Sequence, residues 1–204
     1  MKLSLLLEYL ASGELGNLNL AADRKTIKEE KAIIVLRNIN RGLEDLHTKF
    51  LIRRSYVSLD TVAGEFTYTI ENDDFVEVLY IYVNGKKLHE CEYKLLGTNS
   101  FQINIVLGIA DDIRVEYKAS HRTLTELDIS LDTEVNLPSS YVNALLYFVA
   151  ARLFAGAVNQ LDGDLNEGVS YERKYQDEIV TLNNQGIDVE DMFINDRFTR
   201  RGFA

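Results

Sequence analysis

Three histidines, one cysteine and a short acidic run are the residues of this 204-residue chain whose types suit catalysis or metal binding. His89 and Cys91 stand two positions apart in a stretch that reads as a strand, which would place them on one face. Nucleophilic catalysis needs a thiol or hydroxyl oriented by a base and a third group, and no nucleophile motif surrounds this pair. His47 falls in a helical pattern and His121 at the end of a strand-rich block. A zinc site would need paired Cys/His spacings such as Cys-x-x-Cys, which a single cysteine does not supply. Neither glycine-rich phosphate loop, GxxxxGK[ST] or GxGxxG, occurs. The expectation is a chain with no catalytic residue, no metal site and no cofactor.

The acidic run "DGDLNEGVSYER" comes closest to a ligand loop, because Asp162, Asp164 and Asn166 copy positions 1, 3 and 5 of a calcium loop. The copy then slips. Glu167 stands where the loop needs glycine, Gly168 follows one place late, and Glu172 precedes the place of the bidentate glutamate. An acidic turn between helices, with Asn166 or Asp164 capping the next helix, is favoured over calcium.

Charge narrows the partners. With 22 basic against 32 acidic residues the net charge is −10, which disfavours tight binding to nucleic acid or to an anionic membrane. The C-terminal "RFTRRG" concentrates three arginines in this acidic chain and reads as a segment that docks on an acidic protein surface. One cysteine excludes an internal disulfide and fits a reducing compartment, and "MKLSLLLEYLASGE" lacks the long apolar stretch of an export signal.

The elements that would carry these residues fall into three blocks. "LSLLLEYLAS" predicts a short amphipathic helix. A longer one follows, in which Val35, Ile39, Leu43, Leu46 and Phe50 share a face despite Gly42 in its interior. From residue 52 to 122 the period becomes alternating, and six stretches predict strands: "RRSYVSLDT", "EFTYTIE", "VEVLYIYV", "KKLHECEYKLL", "SFQINIVL" and "DIRVEYKAS". Asn84-Gly85 marks a type I′ hairpin. After Pro138 a long helix runs through "YVNALLYFVAARLFAGAVNQ", and "VSYERKYQDEIVTLNN" makes another, with Val169, Tyr175, Ile179 and Leu182 inward and Gly186 as its stop. The fold class expected is α+β: an antiparallel helical bundle in two parts (1–51 and 123–186), an inserted small antiparallel β-sandwich or barrel (52–122), and an extended C-terminal tail (187–204).

The run from Tyr141 to Gln160 is long enough for a bilayer, about 30 Å as a helix. Acidic flanks and Arg152 near its middle argue against a membrane. It is apolar nearly all round, so it must be covered on every side. The rest of the helical part offers little cover, and a neighbouring subunit is expected to supply it, making the chain a homo-oligomer in contact through helices. Arg152, placed in that interface, would then need a carboxylate partner.

The order of parts resembles the head-to-tail adaptor (connector) proteins of tailed bacteriophages, in particular the tail tubular protein A branch of short-tailed phages. "VLRNINRGLEDLHTKFLIRRSYVSLDT" is similar to the family's helix that runs straight into the first strand. "LPSSYVNALLYFVAARLFAGAV" is similar to its Pro-led helix ending in an A-R-x-F segment, here Ala151, Arg152, Leu153 and Phe154. Glu172, Tyr175 and Glu178 match an E-x-x-Y-x-x-E helix, and a short Phe/Arg tail closes the chain. "VLYIYVNGKKL" and "LGIADDIRVEY" are similar to a hairpin pattern of phage virion proteins.

The resemblance implies a non-enzymatic virion protein at the head-tail junction, assembled in the host cytoplasm as a ring, usually a dodecamer. Its partners would be the portal protein, the next tail component (nozzle or tail tube), and tail fibres through the β domain. DNA would pass non-specifically and no membrane would be involved. The subunit and portal interface would comprise Tyr141, Leu145, Phe148, Arg152 and Ala155, with Phe198, Arg200, Arg201 and Phe203 of the tail docking on the portal. Charge agrees: twelve copies at −10 carry about −120, and an acidic channel repels DNA, within a screening length of about 8 Å. The alternative is a ligand- or carbohydrate-binding β module on a helical oligomerisation scaffold, with Tyr80, Tyr82 and Tyr93 stacking on sugars.

Overall fold

The computed structural model describes residues 1–16, 27–61, 64–108, 111–157 and 165–185. The protein is α+β, with antiparallel sheets. Two compact units form. One comprises Met1–Leu46 and the chain from Thr123 onward, and the other is His47–Arg122. The first boundary between these units falls at 46/47, inside the last turn of a helix, and the change of period follows at 51/52.

The helical unit contains α1 (Leu3–Ser12), most of α2 (Glu29–Lys49), α3 (Glu126–Ser130), α4 (Val142–Ala157) and α5 (Leu165–Gln185). Along α2 the apolar stripe Val35, Ile39, Leu43 and Leu46 is buried, as its spacing requires. The two parts of the unit are tied by backbone bonds: Leu3 N donates to Thr133 O at 3.0 Å and Val135 N to Met1 O at 2.7 Å. Lys2 adds a 2.9 Å ion pair with Asp132. Asn40 clamps the chain just past the β unit, donating to Leu124 O and accepting from Leu124 N, both at 2.8 Å. The buried Asp128 carboxylate accepts from Thr125 N at 2.7 Å, Thr125 Oγ1 at 2.9 Å and Thr133 Oγ1 at 2.9 Å, so its charge is met by three donors.

Pro138 precedes a 3-10 turn, Ser139–Tyr141, that leads into α4. Ala144, Leu145, Val149 and Ala150 are fully buried, and Leu146, Phe148, Ala151, Leu153 and Phe154 nearly so. This corrects the expectation that a neighbouring subunit must cover the helix, because its own chain does. A glycine on α2 is part of that cover. A Cβ on Gly42 would sit 2.5 Å from Leu145 Cδ1 and 3.0 Å from Phe148 Cδ1, so α2 reaches α4 only because position 42 has no side chain. On α5, a Cβ at buried Gly168 would sit 3.4 Å from both the Ala155 nitrogen and Phe154 Cβ. Ring pairs continue that seam, Phe148 with Tyr175 at 5.3 Å and Phe154 with Tyr171 at 5.4 Å. Tyr175, Ile179 and Leu182 point inward as expected; Val169 does not, being 68% exposed, because Gly168 takes the contact position beside it.

Among its described residues the second unit holds seven strands: β1 (Arg54–Asp60), β2 (Thr67–Thr69), β3 (Phe75–Val83), β4 (Lys86–Lys87), β5 (Tyr93–Leu95), β6 (Ser100–Ile103) and β7 (Asp112–Ala119). They form two antiparallel sheets, β1-β7-β3-β4 and β2-β6-β5. One apolar cluster joins them: Ile81, Val83, Ile113 and Val115 from the first, Tyr68, Phe101 and Ile103 from the second. Asn84 and Gly85 have φ of 51° and 76°, the two positive values a type I′ turn requires. Asn84 also holds the neighbouring loop, donating to Asp111 Oδ1 at 2.7 Å and accepting from Asp112 N at 3.0 Å. The stretch expected as one strand, "KKLHECEYKLL", is two, because a turn closes between them with Glu92 N donating to His89 O at 2.9 Å.

Gly42 provides a direct test of the helix packing. Alanine there gains about 1 kcal/mol of helix propensity, but the added methyl must displace the fully buried Leu145. Gly42→Ala is expected to destabilise by about 1–3 kcal/mol net, read as a lower urea midpoint; a raised midpoint would contradict the close approach.

Candidate interaction site

Of the residues that first suggested chemistry, His47 and His121 approach one another, with ring centroids 6.0 Å apart. Cys91 and His89 are exposed in and beside the turn between β4 and β5, so the shared strand face expected for them is absent. Among the described residues no group of three or more His, Cys, Asp or Glu side chains is placed to hold a metal ion. Helix α5 begins at Leu165, which puts Asn166 through Glu172 in helical conformation and overturns the calcium loop, whose positions 5 to 11 would have to be those residues. Asn166 accordingly lies within the helix and not at its cap; Asp162 and Asp164 lie outside the described residues.

His47 is the one histidine in a shaped environment. It is fully buried, with Nδ1 3.1 Å from Ala119 O and the His121 ring edge-on at 6.0 Å. Its Nε2 has no hydrogen-bond partner. Burial, reinforced by the nearby charges of Arg53 and Lys118, pushes the imidazole down to about 4, so it is neutral at pH 7. Those cations are committed elsewhere. Lys118 Nζ donates to Thr48 O at 2.7 Å, and Arg53 donates to Ser120 O at 3.1 Å and pairs with Asp74 at 3.3 Å. Asp74 in turn accepts from the Tyr117 hydroxyl at 2.9 Å. This network joins the end of α2 to β7 and to Asp74, the residue before β3.

The expected interface residues divide. Tyr141, Leu145 and Phe148 are buried inside the helical unit. Arg152 and Ala155 are exposed. Arg152 lies 5.2 Å from the Phe148 ring and belongs to none of the salt bridges among the described residues. Between α4 and α5, Tyr147 and Tyr171 approach at 6.3 Å with Lys174 over both rings. Tyr175 of the E-x-x-Y-x-x-E pattern is interior, donating its hydroxyl to Asp45, and both burial and that bond hold its proton far above the ordinary range. Phe198, Arg200, Arg201 and Phe203 lie outside the described residues.

On the β unit, register puts Tyr56, Tyr80 and Tyr82 on one face of the four-stranded sheet, since Tyr56 and Tyr80 both oppose Glu116 and Tyr82 opposes Arg114. Glu116 is buried among them, accepting from Arg54 at 2.9 Å and from the Tyr82 hydroxyl at 3.0 Å. Burial and that carboxylate push the Tyr82 hydroxyl up to about 12. Arg114 covers the Tyr56 ring at 4.1 Å and Lys87 the Tyr80 ring at 3.2 Å, both cross-strand cation-π pairs. Tyr93 departs from the expectation, packing partly buried against the core between the sheets.

No protein-family model matches the chain, and comparison with curated proteins gives no match. None of the described helices is long and apolar enough to cross a membrane.

The His47 site fixes a pH dependence. Folded His47 titrates at about 4 against 6.5 unfolded, so the unfolded chain takes up the proton first as pH falls. Stability is therefore complete above pH 6.5 and declines between 6.5 and 4 by up to about 3 kcal/mol. Urea titrations across that window are expected to show the decline in the parent protein and a flatter profile in His47→Leu; identical slopes would remove His47 as its source.

Proposed function

We propose that this chain is a non-enzymatic head-to-tail adaptor of a tailed bacteriophage, forming a ring between portal and tail that conducts DNA and receives the next tail component. The observation that carries the reading is the arrangement of parts: a helical unit interrupted in sequence by an antiparallel β unit, with the interruption falling between the helix of "VLRNINRGLEDL" and the Pro-led helix of "LPSSYVNALLYF". In this reading the helical unit is an antiparallel bundle, the β unit is a small sandwich or barrel that offers tail parts or fibres an attachment surface, and the C-terminal tail docks on the portal. The ring is a dodecamer at the head-tail junction of the virion, assembled in the host cytoplasm.

Because α4 is covered by its own chain, the subunit contacts belong to surface positions. Arg152 and Ala155 are the exposed members of the expected set, and the Tyr147-Tyr171-Lys174 cluster lies on the same pair of helices. The net charge of −10 per subunit supports a lining that repels DNA.

Electron microscopy of the purified protein, alone and on isolated portals, tests the reading; a ring with a central channel is expected. Arg152→Ala should leave monomer stability within about 0.5 kcal/mol, as for an exposed side chain, while lowering the fraction of rings. A protein that stays monomeric and shows no affinity for portals would refute the proposal.

A further inference from the structure

The helical unit carries an open groove of about 930 Å³ between α1, the start of α2 and α3. Leu7, Ile33 and Ile129 give its lining an apolar part, and Ile33 is 45% exposed. Glu8, Glu29, Glu30 and Glu126 line it too, and no Lys, Arg or His is among its described lining residues. A lining of apolar side chains and carboxylates selects a segment that combines large apolar side chains with positive charge.

This acidic chain contains such a segment at its C-terminal end, where "RFTRRGF" places Arg197, Arg200 and Arg201 among Phe198 and Phe203. Thirteen residue steps separate Phe198 from Gln185 at the end of α5. That length reaches up to about 43 Å, more than the radius of gyration of about 14 Å typical of a compact unit of this size. A segment tethered in this way meets the groove at an effective concentration on the order of mM, which favours the chain's own tail over another molecule's.

We propose that the groove holds the chain's own C-terminal segment 197–203, its phenylalanines on the apolar part of the lining and its arginines against the glutamates, until a partner withdraws it. Only the last clause rests on the adaptor reading, in which the portal is that partner.

The chain has no tryptophan, so Phe198→Trp in the full-length protein reports on this segment alone. Its emission is expected to be blue-shifted from that of the urea-unfolded chain and independent of protein concentration. It should move to the exposed position in Arg200→Glu/Arg201→Glu and in Glu29→Arg/Glu30→Arg, and return in the combined charge swap, which a mere loss of folding would not do. Exposed emission in the starting reporter, or a blue shift that persists through both charge reversals, would overturn the proposal. A shift that appears only as concentration rises would place the tail in a second copy and equally overturn it. Ring formation is not read in this assay, so its outcome and that of the adaptor test are separable.

Discussion

The structure depends on covering one helix. Helix α4 presents apolar side chains in nearly every direction, and a helix of that kind is stable in water only when other elements surround it. Gly42 lets α2 in over Leu145 and Phe148, and on α5 Gly168 lies against Phe154 and Ala155. The aromatic pairs of α5 then fill the seam. The rest of the helical unit follows from holding these partners in place, through the Met1-Val135 and Leu3-Thr133 bonds and the Asn40 clamp, which fasten the chain on either side of the inserted β unit.

Much of this was legible in the sequence because periodicity and turn chemistry are local. The spacing of Val35, Ile39, Leu43 and Leu46 identified the buried face of α2, and Asn84-Gly85 identified its hairpin from the positive φ that both positions need. What was not legible depends on distant neighbours. Gly42 reads as a defect in a helix until Leu145 is seen against it, and α4 reads as needing a second subunit until α2 and α5 are in place. Val169 was assigned inward by period alone, whereas a glycine beside it makes the contact. The strand expected through His89 and Cys91 fails because Glu92 closes a turn there, a side-chain-to-backbone bond at 2.8 Å that no period reveals.

The candidate interaction surfaces were less legible than the fold. Arg152 was correctly singled out as the charge in an apolar run, but the run alone could not say that the side chain leaves the packed seam and lies over the Phe148 ring. The acidic groove was missed altogether, since Glu8, Glu29, Glu30 and Glu126 are scattered over more than a hundred positions and come together only when α3 docks beside α1 and α2. The basic tail was visible from composition, and a matching surface within the same chain was not. The tyrosines of β3 are bound up in cross-strand pairs with Lys87 and Glu116, a consequence of register that alternation cannot specify.

Hydrogen exchange at the backbone amides of α4 tests most directly whether the chain itself covers this helix. If α2 and α5 are sufficient cover, the amides from Leu145 to Phe154 exchange only through global opening, with the same protection in dilute and in concentrated protein. Protection that is weak in dilute protein and rises with concentration would mean that a second subunit supplies the cover, and would contradict the packing at Gly42 and Gly168.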